Sequence, residues 1–285
     1  MGVIMTSREE KNKKYVDEIK KEKAIKFTKI FLKIFFIIMI CFAIIFLYAK
    51  YYEPNTLNTN EFLIKDASIP NEFNGIKILQ ISDILYGSIN NDNLSKIKDE
   101  IKRINPDIVL FTGNIISSEY QVNEEEIKEL NAFFKDIPYS IGKYSVLGDT
   151  DKQNYHLIME DTEFNILNNE EIAIYNEKGT IYLVGINYNE QKQIVNTHEG
   201  FTIAIINNYD DYNNYNVNSN IVLAGHNLGG EIKLFNLPLL GLDKHLNSYY
   251  EENNSKIYIS NGLGSIHHMR LMNKPSMNVY RLYNK

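Results

Sequence analysis

Five short segments of the chain place polar side chains directly after apolar runs that are typical of β-strands. They are Asp83 in QISD, Asn114 in LFTGN, Asp149 in SVLGDTD, Asn207 in AIINN and His226 in VLAGHNLGG. Carboxylate, imidazole and amide-oxygen groups are all known ligands of divalent metal ions in proteins. A single Gly-Asn or Gly-Asp pair is a common turn. Five such segments in order predict one site, assembled where several strands end.

The elements that must position these residues alternate between strand and helix in the first half of the chain. Apolar runs predict strands over 76–82, 107–112 and 144–147, and apolar residues at 3–4 spacing predict helices that contain 94–104 and 127–133. The order βαβαβ favours parallel strands covered by helices. In such sheets, binding sites form in the crevice beyond the carboxyl ends of the strands.

The second half of the chain predicts short strands separated by turn residues, with few helical signals. These strands cover 172–175, 180–184, 202–206, 221–224, 232–235, 257–260 and 278–282. Residues 53–62 are polar and contain a proline, which predicts a short linker. We therefore predict an α/β fold: two packed mixed sheets flanked by helices in one domain over 73–285, preceded by a linker and first strand over 50–72.

The ordered motifs resemble those of the calcineurin-like metallophosphoesterases, and within them a membrane-anchored bacterial branch. The resemblance covers 73–283 and includes NPDIVLFTGN, YSVLGDTDK, LAGHNLGGEI and IYISNGLGS. It implies a four-layer α/β sandwich with two divalent ions at the strand ends, which clamp the attacking and leaving oxygens of a phosphoester. A histidine beside the metals protonates the leaving group in that family.

The first metal position of the family has lost most of its ligands in this chain. Asp83 is retained, but the histidine of the family's Asp-x-His motif corresponds to Leu85. The second histidine of the Gly-His-x-His motif corresponds to Leu228. Because leucine has no donor atom and fills space with hydrocarbon, the resemblance predicts that this metal position is lost.

The second metal position keeps a weaker set of donors. The bridging aspartate corresponds to Asn114, the metal-binding asparagine to Asp149, and the lone histidine to Asn207, while His226 is retained. The catalytic histidine corresponds to Thr150, so we expect no catalytic residue and regard Thr150 as a vestigial acid position. We expect no cofactor, or at most one weakly bound divalent metal (Mn, Zn, Fe or Mg) at Asp83, Asn114, Asp149, Asn207 and His226.

These departures predict a catalytically degenerate phosphoesterase fold that acts by binding a ligand or a protein partner of the cell envelope. Two alternatives stay open at this point. One is an active metal-dependent phosphoester hydrolase with a remodelled or single-metal site. The other is a structural anchor whose domain only presents surface.

An apolar segment near the N-terminus predicts a membrane anchor over 31–49. Residues 34–49 read IFFIIMICFAIIFLYA without a charge, and about twenty helical residues reach ~30 Å, the thickness of the hydrocarbon core. Residues 1–33 carry ten Lys and Arg against five Asp and Glu. The positive-inside rule therefore places the basic segment 1–30 in the cytoplasm and the domain outside. The alternative is a cleaved signal peptide, although its basic region would be unusually long.

Charge and cysteine content restrict which classes of partner and which kinds of site the domain is expected to have. Residues 51–285 carry nineteen Lys and Arg against thirty-one Asp and Glu, a balance that disfavours nucleic acid as a partner. The single cysteine, Cys41, lies in the apolar segment, so the domain has neither a disulfide nor a thiolate metal site. That pattern is compatible with an exported bacterial protein in the cell membrane.

Overall fold

A computed structural model describes residues 7–88, 91–151, 154–187, 194, 198–215, 217–235, 237–239 and 244–285. The chain forms two compact units, Met1–Tyr48 and Ala49–Lys285. The first unit contains helix α1 (Ser7–Leu47), which is long and apolar enough to cross a membrane by length and composition. Helix α1 includes most of the basic segment as well as the apolar segment, whose side chains are exposed in this unit.

The second unit, here called the globular unit, contains the other helices and the strands of the described residues. The helices are α2 (Asn91–Ile104), α3 (Glu124–Lys135) and α4 (Tyr155–Met159). The strands are β1 (Asn58–Asp66), β2 (Lys77–Ile81), β3 (Ile108–Phe111), β4 (Gly142–Ser145), β5 (Phe164–Ile166), β6 (Glu170–Asn176), β7 (Gly179–Ile186), β8 (Thr202–Ile206), β9 (Ile221–Ala224), β10 (Lys233–Leu234), β11 (Leu237–Pro238), β12 (Tyr249–Glu252), β13 (Ser255–Ile259) and β14 (Ser276–Asn284).

Twelve of these strands form two mixed sheets of six. The first sheet has the order β1-β14-β2-β3-β4-β5, with β2 to β5 parallel and β14 antiparallel to β2. The second has the order β12-β13-β9-β8-β7-β6, with parallel strands at its centre and antiparallel strands at both edges. The central strands are buried on both faces, which explains their unbroken apolar runs.

Alternate residues of each sheet pack into different apolar layers. In β2, Leu79 and Ile81 pack with the helices, whereas Ile78 belongs to the layer between the two sheets. In β7, Leu183 faces that inner layer and Val184 faces the outer cluster, which the 3-10 turn Tyr209–Asn214 helps to cover. This period of two is the side-chain alternation of strands. The predicted fold class, two packed mixed sheets flanked by helices, is confirmed.

The structure corrects two details of the predicted elements. Strand β1 begins at Asn58, inside the segment predicted as a linker, and pairs along its whole length with β14. Its polar side chains are accommodated because it is an edge strand, where Asn60 bonds Asn278 and Thr59 bonds Glu100. The predicted strand 232–235 is instead the first arm of a small hairpin formed by β10 and β11, outside both main sheets.

Candidate functional site

The structure brings the five predicted site residues together at the carboxyl ends of the strands. The side-chain nitrogen of Asn114 lies 2.9 Å from Asp83 Oδ1 and 3.5 Å from Asn207 Oδ1. The backbone N–H of His226 donates to Asp83 Oδ2 at 2.9 Å. The His226 ring nitrogen Nδ1 lies 3.4 Å from Asp149 Oδ1. Because each residue follows a different strand, the two sheets jointly build this cluster.

The orientation of the central amide, that of Asn114, is determined by the backbone around it. Its Oδ1 accepts from the Thr150 backbone N–H at 3.1 Å and from the Thr150 hydroxyl at 3.0 Å. A backbone N–H can only donate, so the atom facing it must be the amide oxygen. In the same way, Asn207 Nδ2 donates to the Thr112 carbonyl at 2.7 Å, which turns its oxygen toward Asn114. Asn114 therefore presents an N–H₂ group to both Asp83 and Asn207.

Asp83 is buried and its two carboxylate oxygens are both occupied by protein donors. The hydroxyl of Ser82 and the backbone N–H of His226 donate to Oδ2, and Asn114 donates to Oδ1. Burial raises the pKa of the Asp83 carboxyl above its ordinary value, and the Ser82 bond, the His226 charge and the Asn114 bond only partly oppose this. Asp83 is therefore an internal hydrogen-bond acceptor whose oxygens already have partners.

Hydrocarbon fills the space beside Asp83. Leu85 and Leu228 are 4% and 1% exposed. A Cβ added at Gly262 would lie 2.3 Å from Leu228 Cδ2 and 3.0 Å from the Asp83 Cβ, so the leucine methyl packs next to the carboxylate residue. Both leucines have left-handed backbones, with φ of 47° and 49°, as Asn114 does at 65°. This conformation is costly for leucine, so the loops keep a shape that their present side chains do not favour.

Asp151 is a residue of the site to which the sequence analysis assigned no role. Its buried carboxylate accepts the backbone N–H groups of Asn114, Ile115 and Gly148 at 2.6, 2.7 and 2.9 Å. Burial raises its pKa to about 6, against the opposing effect of these bonds. Asp151 thereby ties the loop after β3 to the loop after β4. A sequence signal for Asp151 did exist: it is the last residue of the segment GDTD. The corresponding motif of the resembled family, Gly-Asn-His-Asp, also ends in aspartate.

Asp149 and His226 differ from the rest of the cluster because their side chains remain partly exposed. Their side-chain exposures are 30% and 24%. Asp149 Oδ1 is buried and makes no well-aligned hydrogen bond, although His226 Nδ1 is 3.4 Å away. Burial alone would raise the pKa of Asp149, but the neighbouring His226 and Asn114 outweigh it and hold the pKa below its ordinary value. The charged carboxylate is thus favoured here.

These side chains do not fit a two-metal centre. Leu85 and Leu228 contribute no donor atom, and Asn114 directs N–H groups where a bridging ligand would need an oxygen on both sides. Within the described ranges, no group of three or more His, Cys, Asp or Glu is placed to hold a metal ion. Asp149 Oδ1 and the His226 ring are two donors, fewer than the three protein ligands of a catalytic zinc site.

Comparison with known proteins places this site in a family. Residues 76–266 match the family described as Calcineurin-like phosphoesterase. The chain is 28% identical over 264 residues to the uncharacterized metallophosphoesterase YkuE of Bacillus subtilis, covering 82% of this chain and 88% of that protein. It is 25% identical to the uncharacterized metallophosphoesterase Cj0846 of Campylobacter jejuni, covering 81% of this chain and 64% of that protein.

A shorter match involves a relative named for its activity. Over 113 residues the chain is 29% identical to the UDP-2,3-diacylglucosamine pyrophosphatase LpxG of Chlamydia muridarum, a match that covers 38% of this chain and 32% of that protein. The family match, by contrast, spans well over half of the present chain, including every residue of the cluster. The chain therefore belongs to the calcineurin-like phosphoesterase family.

Proposed function

We propose that this chain is a membrane-anchored, catalytically degenerate phosphoesterase-fold protein whose globular unit lies outside the cytoplasm and binds a ligand or a protein partner. The observation that carries the proposal is the orientation of Asn114. Its N–H₂ group lies between Asp83 and Asn207, at the position where a two-metal clamp requires a bridging anion.

Electrostatic repulsion and the hydrogen bonds of Asn114 both support loss of the two-metal centre, not a small change in its ligands. Two dications about 4 Å apart repel strongly, and a neutral amide offsets that repulsion far less than a carboxylate does. Turning the Asn114 oxygen toward Asp83 would also break its bonds from Thr150 and place two oxygens face to face. Thr150 replaces the leaving-group acid, a role that typically contributes ~10²–10⁴-fold.

The proposed location follows from helix α1 and the charges around it. An apolar segment of sufficient length follows a segment rich in lysine, and the globular unit beyond it is acidic. This asymmetry supports a cytoplasmic N-terminus. Protease added to intact protoplasts should then remove the globular unit and leave an N-terminal tag protected. The opposite pattern of protection would contradict the orientation.

The second candidate is a hydrolase with a single metal. It is favoured by Asp149 Oδ1, a buried carboxylate oxygen without a well-aligned hydrogen bond beside the His226 ring. The name of LpxG also indicates that a relative acts on a pyrophosphate. In this reading a cation would bind at Asp149 and His226, on the exposed side of the cluster.

The deciding experiment measures metal content and turnover on the full chain in detergent. Generic phosphomonoesters and phosphodiesters are supplied with Mn²⁺, Zn²⁺, Fe²⁺ or Mg²⁺. We expect no turnover above that of the Asp149→Ala and His226→Ala variants. Metal-dependent turnover that disappears in those two variants would establish the single-metal hydrolase instead.

A reverted variant serves as the matched control. It combines Leu85→His, Asn114→Asp, Thr150→His, Asn207→His and Leu228→His, which restores the family's residues at these five positions. Increased metal content in a folded reverted protein would support loss of ligands as the cause of degeneracy. A folded variant that binds no more metal than the natural chain would mean that the pocket itself has closed.

A further inference from the structure

Four apolar side chains are exposed together on the small hairpin of β10 and β11, where Leu234 pairs with Leu237. The exposed fractions are 79% for Phe235, 70% for Leu237, 55% for Leu239 and 45% for Leu234. Phe235 has a φ of 50°, a backbone conformation that hairpin turns normally assign to Gly, Asn or Asp. An exposed aromatic side chain kept in such a conformation requires an explanation outside the globular unit.

The hairpin lies close to Ala49, the first residue of the globular unit and the last of the predicted span. The Arg270 backbone N–H donates to the Ala49 carbonyl at 2.9 Å. The next residue, Leu271, forms a parallel bridge with Ile232 and accepts from the Lys233 N–H at 2.8 Å. The hairpin therefore begins about two strand spacings, roughly 10 Å, from Ala49.

Ala49 is packed within the globular unit. It is 1% exposed, as is Glu53. The Glu53 carboxylate accepts the backbone N–H groups of Met272 and Asn273 at 3.0 and 2.6 Å, which fixes the segment after the span onto the loop 270–273. If the span ends at Ala49 as proposed, chain connectivity alone brings the surface around Ala49 to the edge of the bilayer.

The residues around this junction extend the apolar character of the hairpin. Tyr51 and Tyr52 are each 62% exposed, Ile266 is 58% exposed and Met272 is 52% exposed. Tyrosine is enriched where proteins cross the boundary between lipid and water. The hairpin tip, the loop and the two tyrosines together are typical of a surface that enters the headgroup region.

We propose that the globular unit rests on the lipid bilayer through this docking patch, with the hairpin tip inserted at the boundary between headgroups and acyl chains. The patch consists of Leu234, Phe235, Leu237, Leu239, Ile266 and Met272. The proposal rests on the membrane anchor of the proposed function, because that anchor brings the patch to the bilayer. A protruding tip enters soft lipid readily, whereas a second copy of the chain would need a matching concave surface.

Docking would also determine how far the candidate site lies from the membrane surface. The hairpin follows His226 by only a few residues, through the segment from Asn227 to Ile232. Insertion of the hairpin would therefore keep the loop after β9 near the lipid headgroups. The ligand class favoured by this arrangement is a molecule presented at the membrane surface.

The absence of tryptophan from the sequence allows a direct test. The variant Phe235→Trp is reconstituted as the full chain in phosphatidylethanolamine and phosphatidylglycerol vesicles that carry bromine at defined acyl-chain depths. We expect blue-shifted emission and quenching by shallow bromines of roughly half the signal or more, as for a side chain ~5–10 Å into the boundary. Leu237→Trp provides a second reporter, and Tyr175→Trp, at a position 70% exposed on β6, provides the water-exposed control.

A Phe36→Trp variant in the apolar helix separates failure of the docking from failure of the anchor. If Phe36→Trp is quenched by deep bromines and both hairpin reporters are not, the anchor stands and the docking is wrong. If Phe36→Trp is not quenched either, the proposed membrane anchor is wrong, and the docking proposal, which depends on it, is wrong as well. Blue-shifted hairpin emission without bromine quenching would mean that protein, either a second copy or a partner, covers the patch, which would also overturn the proposal.

Discussion

The two sides of the candidate site differ in how their carboxylates are surrounded. The side around Asp83 is sealed: its carboxylate accepts three hydrogen bonds from protein groups, and Leu228 packs beside it. The side around Asp149 is open: the carboxylate is partly exposed and one oxygen has no well-aligned partner. One side is part of the core, whereas the other has the properties of a binding surface.

Under the degeneracy proposed above, loss of metal ligands and loss of a binding site are separate events. On the sealed side, Leu228 supplies hydrocarbon and Asn114 supplies a hydrogen-bond donor, so the space beside Asp83 is filled and its carboxylate has partners. On the open side, the Asp149 carboxylate is partly exposed and its lowered pKa favours the charged form. Any ligand that the domain binds at this cluster should therefore contact the open side.

The largest expected effect comes from removing the carboxylate of the sealed side. Asp83→Ala should lower the free energy of unfolding by about 3 kcal/mol or more, because it leaves buried donors of Ser82, Asn114 and His226 without an acceptor. Asp149→Ala should cost no more than about 1 kcal/mol, since its contact with His226 is partly exposed. Urea unfolding of the full chain in detergent measures both losses, and equal losses would contradict the distinction between the two sides.

A somewhat smaller loss is expected from emptying the hydrocarbon beside Asp83. Leu228→Ala should cost about 2–3 kcal/mol, because it removes a buried side chain and leaves a cavity. The matched control is Leu157→Ala on α4, where the leucine is 54% exposed and the change should stay within about 0.5 kcal/mol. A loss at Leu228 as small as that of the control would show that the sealed side is not tightly packed.

Restoring the bridging carboxylate should destabilise the sealed side by a moderate amount. Asn114→Asp places an oxygen where an N–H₂ group now donates to Asp83 at 2.9 Å, so we expect a loss of roughly 1–2 kcal/mol at pH 7 from the two facing carboxylates. Millimolar Mn²⁺ should not recover this loss while Leu85 and Leu228 are present. Recovery by Mn²⁺, measured as an increase in melting temperature absent from the natural chain, would show that the side can be reopened by one substitution.

Much of this arrangement could be predicted from the sequence, and what could not has physical causes. The apolar runs ending in Asp83, Asn114, Asn207 and His226 are buried central strands, where the pattern is strongest. A first strand was predicted within 50–72, but its start at Asn58 was assigned to the linker, because its edge position lets polar residues take part in the pairing. Such pairing depends on the distant strand β14, which local sequence does not reveal.

The direction of the Asn114 amide lies beyond sequence patterns for a related reason. It depends on the Thr150 N–H, a backbone group brought close by the fold of another loop. The acceptor role of Asp151 is of the same kind, since its three donors belong to the loops after β3 and β4. Residue types predicted which side chains would lie close together. Backbone geometry determined which of their atoms donate and which accept the hydrogen bonds.

The smallest expected effect is a pH dependence of stability, which should have opposite signs for the carboxylates of Asp149 and Asp83. Because the folded-state pKa of Asp149 lies below 3.8, its charged form stabilises the fold above that pH, and the contribution is lost as pH falls through the folded value. Asp149→Asn should therefore cost about 0.5–1 kcal/mol at pH 7, and the difference should shrink below about pH 4. Asp83 behaves oppositely, since its raised pKa means that its contribution is greatest below 3.8 and declines as pH rises. Urea midpoints of the natural chain and of Asp149→Asn between pH 3 and 7 measure the effect. If the difference between the two urea midpoints grows on acidification, Asp149 is held in its neutral form. The open side would then disfavour a charged carboxylate as the sealed side does.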